Sequence, residues 1–94
     1  MDIKAIVSNI ADFFGFTYAH LLSRNISHDV SKARNFAFYV LHFDYGLSSN
    51  VIAKAMNRAS RHVVRQNATT KYLIENFKVY KDIYQKLKHK LNTI

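Results

Sequence analysis

Apolar residues recur at spacings of three and four along almost the whole chain, and residues that would interrupt a helix are nearly absent. There is no proline, and the two glycines, Gly15 and Gly46, each stand where an apolar-periodic segment would end in a left-handed cap. This pattern predicts an all-α domain of five or six helices. Ile3, Ile6, Val7, Ile10, Phe13 and Phe14 give a first helix closed by Gly15, and Thr17 can cap a short second one through Leu22. Ser23 to His28 interrupts the period. Ser27 or Asp29 then starts a long helix over about Val30 to Tyr45, with Ala33, Phe36, Ala37, Val40, Leu41 and Phe43 inward, ending at Gly46. It is expected to be the central packing element.

Ser48 can cap the next helix, to which Val51, Ile52, Ala55 and Met56 give a buried stripe, and Asn57-Arg58 breaks the period. Ser60 can cap a further helix from about Ala59. At 100° per residue, Arg58, Arg61, His62, Arg65 and Thr69 share one side of it, with Val63, Val64 and Ile74 opposite. The poor helix formers around Asn67, Thr69 and Thr70 predict a bend or an end there. Tyr80, Ile83, Tyr84, Leu87 and Leu91 define a last amphipathic helix, whose outer face of Lys78, Lys81, Lys86, Lys88 and Lys90 reads as solvated lysine.

At 94 residues the chain supports one domain with one modest core, here residues 1–94. Its charge is uneven. Residues 1–44 carry four basic and four acidic side chains, whereas the remainder carries ten basic ones against Glu75 and Asp82. Tyr45 to Ile74 holds five Lys or Arg and no acid, within a protein of net charge +8 and pI near 9.9. Positive charge concentrated in this way suits a phosphate-bearing partner. A short amphipathic helix, a tight turn and a second helix with a basic outer face form the helix-turn-helix pattern, whose second helix enters the DNA major groove.

Other classes are disfavoured. Without cysteine there is neither a disulfide framework nor a thiolate metal site, and the five histidines form no HExxH or paired arrangement, so no metal site is expected. The six acids offer no acid-base pair, and no catalytic residue or cofactor is expected. The apolar runs are too short to span a bilayer, and no cleavable leader is expected, which leaves an intracellular, cytoplasmic location as the default.

With the helices so placed, two segments resemble the C-terminal DNA-binding domain of the bacterial replication initiator DnaA. IADFFGFTYAHLLSR, Ile10 to Arg24, resembles that family's first two helices. ARNFAFYVLHFDYGLSSNVIAKAM, Ala33 to Met56, runs without a gap along its ARQxAxYL and GLSxxxIGxxF pattern. The likeness spans about Ile10 to Leu91. It implies a bacterial double-stranded DNA-binding domain standing without the family's nucleotide-binding domain, since no GxxxxGK[ST] loop is present; a monomer is expected, and a role in DNA replication, in gene repression or in a mobile element stays open. It also implies that Arg34 contacts the phosphate backbone.

The likeness departs from the family at the base-reading residues. The family's Arg-Asp-His-Thr-Thr-Val signature falls on Arg58, Ala59, Ser60, Arg61, His62 and Val63, or one residue later with a longer turn, and the Asp-His pair is lost in either register. In the loop before the long helix, the arginine that the family sends into the minor groove falls on Ile26, leaving Arg24 as that loop's charge. The expected interface therefore comprises Arg24, Arg34, Lys54 and Lys71 on the backbone, Asn57 in the turn, and Arg58, Arg61, His62, Arg65 and Gln66 toward the groove. Arg61 and Arg65 fit guanine edges or phosphates, and the sequence leaves both open. The alternative function is a protein-interaction module on the same fold that has lost sequence-specific DNA binding.

Overall fold

The computed structural model describes residues 1–93. Six helices and, among the described residues, no strand make up the chain: α1 (Ile3–Phe13), α2 (Tyr18–Leu22), α3 (His28–Phe43), α4 (Ser49–Met56), α5 (Ser60–Asn76) and α6 (Lys78–Asn92). No helix is long and apolar enough to cross a membrane.

Local chemistry accounts for most of the boundaries. The Asp2 carboxylate accepts from the Ala5 amide and caps α1, and Gly15, at φ +82°, turns the chain out of it. Thr17 starts α2 with a reciprocal pair: its hydroxyl accepts from the His20 amide while His20 Nδ1 accepts from the Thr17 amide. At the far end of α3, Gly46 at φ +72° folds the chain back so that the Leu47 amide reaches the Leu41 carbonyl at 3.0 Å. Ser48 caps α4 by accepting from the Val51 amide. Phe77 alone separates α5 from α6.

α3 is the central element, packed against α1, α2, α4 and α5. Nine of its sixteen residues are buried. Phe36 links α3 to the C-terminal cap of α1 and to α6, lying 5.4 Å from the Phe14 ring that follows α1 and stacked on the Tyr80 ring of α6 at 6.0 Å. Phe36, Ala37, Val40, Ile52, Val63 and Leu87 belong to one core, as the shared periodicity predicts.

Several expectations are corrected. α3 begins two residues before Val30 and ends at Phe43, which is 46% exposed and packs at the edge of the core on the rings of Tyr39 and His42. In α4 the buried stripe is Ile52, Ala53 and Met56; Val51 faces solvent and Ala55 is half-buried. Ala59, not Ser60, occupies the cap position of α5, with no side-chain bond.

α5 neither bends nor ends near Asn67. Its inner stripe is Val63, Asn67, Thr70 and Ile74, spaced four, three and four, so burial against the core overrides weak local propensity. That register turns Val64 outward, leaving it 56% exposed. The Asn67 amide is sealed inside without a hydrogen-bond partner.

Phe36→Ala is expected to cost about 3 to 5 kcal/mol in chemical denaturation, since it removes a fully buried ring that links α3 to α6 and to the cap of α1. A loss below about 1 kcal/mol would contradict the central position given to Phe36.

Candidate nucleic-acid interface

α4 and α5 are joined through Asn57, Arg58 and Ala59. Asn57 takes the left-handed conformation at φ 57°, one of the few non-glycine residues that tolerate it, and its amide closes α4 on the Ala53 carbonyl. Three residues therefore join the two helices, a connection of helix-turn-helix length. α5 packs on both α3 and α4, which fixes which of its side chains face out.

The loop between α2 and α3 is held by its own polar side chains and by two arginines. Ser23 Oγ donates to the His20 carbonyl at 2.6 Å and accepts from the Asn25 amide, and Asn25 Oδ1 accepts from the Ser27 amide at 2.8 Å. Arg34, on α3 and only 5% exposed, donates from Nε to the Leu21 carbonyl at 2.7 Å. Its Nη2 donates to the carbonyls of Ser23 at 3.1 Å and Asn25 at 3.0 Å. Arg58 reaches the same place from the α4–α5 turn, donating to Leu22, Met56, Asn57 and Ser23 carbonyls. The Ser23 carbonyl is thus shared by two guanidinium groups.

These contacts shape a cleft of about 420 Å³ between the loop and α5. Arg24 and Ile26 line it from the loop, Arg34 and Asn35 from α3, Arg58 from the turn, and His62 and Gln66 from α5. No Asp or Glu is among its lining residues. Arg34 Nη1 makes no hydrogen bond among the described residues, and it is not one of the sealed unpartnered atoms, so one side of this guanidinium stays open.

Burial, and then the neighbouring Arg58, lowers the Arg34 pKa; burial, and then Arg24, lowers that of Arg58. In each case burial is the larger cause and the neighbouring guanidinium the second. His62 sits edge-on to Phe38, and its imidazole is pushed below the ordinary histidine range by burial first, then by Arg65, Arg58 and Arg34.

Arg61 and Arg65 lie around the helix from this row. With Val64 and Ser60 they line an open depression whose far wall is Ser48, Ser49 and Asn50 at the start of α4. The basic side expected for α5 is therefore two rows: Arg58, His62 and Gln66 toward the loop, and Arg61 and Arg65 toward α4. Of the ten expected interface residues, Arg24, Arg34, Asn57, Arg58, His62 and Gln66 share the cleft and Arg61 and Arg65 the depression beside it. Lys54 and Lys71 are exposed and line neither, Lys71 lying 5.9 Å from the Phe43 ring.

Arg34, expected as a backbone contact, spends most of its donors inside the protein. Sequence reading missed Ser49, Asn50, Ser31 and Asn35 as lining residues. The Ser-Ser-Asn run at a helix start was the available signal, because exposed amides and short polar side chains gather there.

Because the folded state disfavours the protonated His62, the unfolded chain, with an ordinary value near 6.5, binds that proton first as pH falls. The His62 contribution to stability is present above about pH 6.5 and is lost as pH falls below it. Thermal melts of the wild type are expected to show a midpoint falling between about pH 7 and pH 5 more steeply than in His62→Gln. Identical profiles would contradict the placement of His62 among the arginines.

Comparison of the chain with protein-family models and with curated proteins finds no match.

Proposed function

We propose that this domain binds double-stranded DNA through the α4–α5 helix-turn-helix, in the manner of the initiator's origin-binding domain that its sequence resembles, but with altered base-reading residues. The observation that carries this reading is the cleft that gathers Arg24, Arg34 and Arg58 with no acidic lining residue. Guanidinium groups packed together in a partly dry cleft repel one another, and an anion placed among them relieves that repulsion while accepting their free donors. A sugar-phosphate strand supplies such anions in a row.

In this reading the strand lies along the cleft, with Arg24, Arg58 and the open edge of Arg34 on phosphates. The first turns of α5 enter the major groove beside it. Arg61 and Arg65, one helical turn apart and exposed, are the side chains that reach base edges. Arginine's planar fork suits the two acceptors on guanine, so the preferred site is expected to contain guanine where the initiator's own box is read by shorter side chains. Lys54 and Lys71 add long-range attraction.

Two measurements test the reading. Binding to duplex DNA is expected to weaken with salt, with a slope of log affinity on log salt near 4 to 5 for roughly 5 phosphate contacts. Arg61→Ala is expected to cost about 1 to 3 kcal/mol and to relax preference at one position of a selected site; a phosphate contact would instead lower affinity for all sequences and reduce the slope by about 1. Absence of binding at low salt would favour the protein-interaction module.

A further inference from the structure

A second cavity, of about 180 Å³, opens where α3, the middle of α5 and the first turn of α6 meet. It shares Ser31 and Asn35 with the cationic cleft, but its other walls are its own. Phe36 and Tyr80, stacked on each other, form one of them with Leu73, while Lys32 and Thr70 supply polar groups. No Asp or Glu is among its lining residues.

Those polar groups are spare. Thr70 is only 3% exposed, yet its hydroxyl makes no hydrogen bond among the described residues and is not one of the sealed unpartnered atoms. A threonine inside a helix can satisfy its hydroxyl on the carbonyl one turn back, as Thr69 does on Arg65. Thr70 does not, so its hydroxyl stays open to the cavity that it lines. The half-buried Lys32 has no carboxylate partner among the described residues either, and its Nζ stands 5.1 Å from the centre of the Tyr80 ring. Buried polar groups are nearly always satisfied, and one left without a protein partner calls for a reason.

The walls select an occupant by size and by chemistry. An apolar cavity of about 150 Å³ holds benzene, so this one has room for a single ring and its substituents. Phe36, Leu73 and the Tyr80 ring offer apolar contact that an inorganic anion would leave unused. One lysine without an acid beside it suits a single negative charge. The Thr70 hydroxyl, able to donate and to accept, suits a polar substituent at the buried end.

We infer that this cavity binds a monocyclic aromatic carboxylate, with the carboxylate on Lys32, the ring against Phe36, Leu73 and Tyr80, and a ring hydroxyl on Thr70. The site is independent of the DNA-binding reading.

The probes that test it are para-hydroxybenzoate, benzoate, which lacks the hydroxyl, and para-hydroxybenzamide, which lacks the charge. Each is titrated into the full chain at neutral pH while amide and methyl chemical shifts are followed. Wild-type protein is expected to show saturable changes, largest at Thr69, Thr70, Leu73 and Tyr80. It is expected to bind para-hydroxybenzoate about five- to tenfold more tightly than either analogue. Thr70→Val keeps the shape and removes a hydroxyl that has no partner in the protein, so it is expected to fold as the wild type does. It should bind para-hydroxybenzoate and benzoate alike while still preferring the acid to the amide. Lys32→Gln is expected to do the reverse, losing the preference for the acid and keeping that for the hydroxyl. Changes confined to Arg24, Asn57, Arg58 and Gln66 would mean that the carboxylate is held only as an anion in the cleft, and would overturn the site. Titrations that do not saturate, or preferences that survive both substitutions, would overturn it as well.

Discussion

A single guanidinium organises the side of this domain that matters most for its chemistry. Arg34 is buried in the second turn of the central helix, and the groups around it are the carbonyl oxygens of the α2 C-terminus and the loop that follows. A helix C-terminus leaves its last carbonyls unpaired and carries partial negative charge, so a cation there answers both deficits. Arginine suits the task better than lysine, because a planar fork donates in several fixed directions at once. Burying a cation is costly without compensation, and here the compensation comes from peptide dipoles rather than a carboxylate. The net positive charge of the site therefore survives its own burial.

The rest of the candidate interface follows from that arrangement. Arg58 completes the set of donors on the α2 end and ties it to the α4–α5 turn, so the loop, α3 and the start of α5 are fixed relative to one another by polar contacts. On the opposite side, the stripe Val63, Asn67, Thr70 and Ile74 sets the rotation of α5 against the core. Two rows of basic side chains result, one facing the cleft and the other beside the start of α4. In the proposed DNA-binding reading the cleft row positions the protein on phosphates and the row beside α4 reads bases.

Much of this fold was legible in the sequence. Gly15, Gly46, Thr17 and Ser48 mark helix ends because each has a local reason to stand there, and the inward residues of α3 follow from spacing alone. The failures have local causes too. In the two-turn helix α4, apolar residues cover too much of the circumference for spacing to choose between Val51, which is exposed, and Ala53, which is buried. The outward turn of Val64 is hidden from apolar spacing because Asn67 and Thr70, which complete the inner stripe of α5, are polar. The clustering of basic residues in the second half was plain, but the partners of Arg34 were not. They are backbone carbonyls nine to fourteen residues away, and a carbonyl leaves no mark in a sequence.

The central claim is that this protein meets DNA with the cleft and the first turns of α5, and not with its other basic surface, the lysine face of α6. The most direct measurement is amide chemical-shift mapping during titration with a duplex oligonucleotide. The account predicts the largest changes at residues 23–27, at Ser48 to Asn50 and at Asn57 to Gln66, with Lys78, Lys81, Lys86 and Lys88 little affected. Changes centred on those lysines, or on the exposed Tyr72 and Phe77 where α5 meets α6, would contradict it.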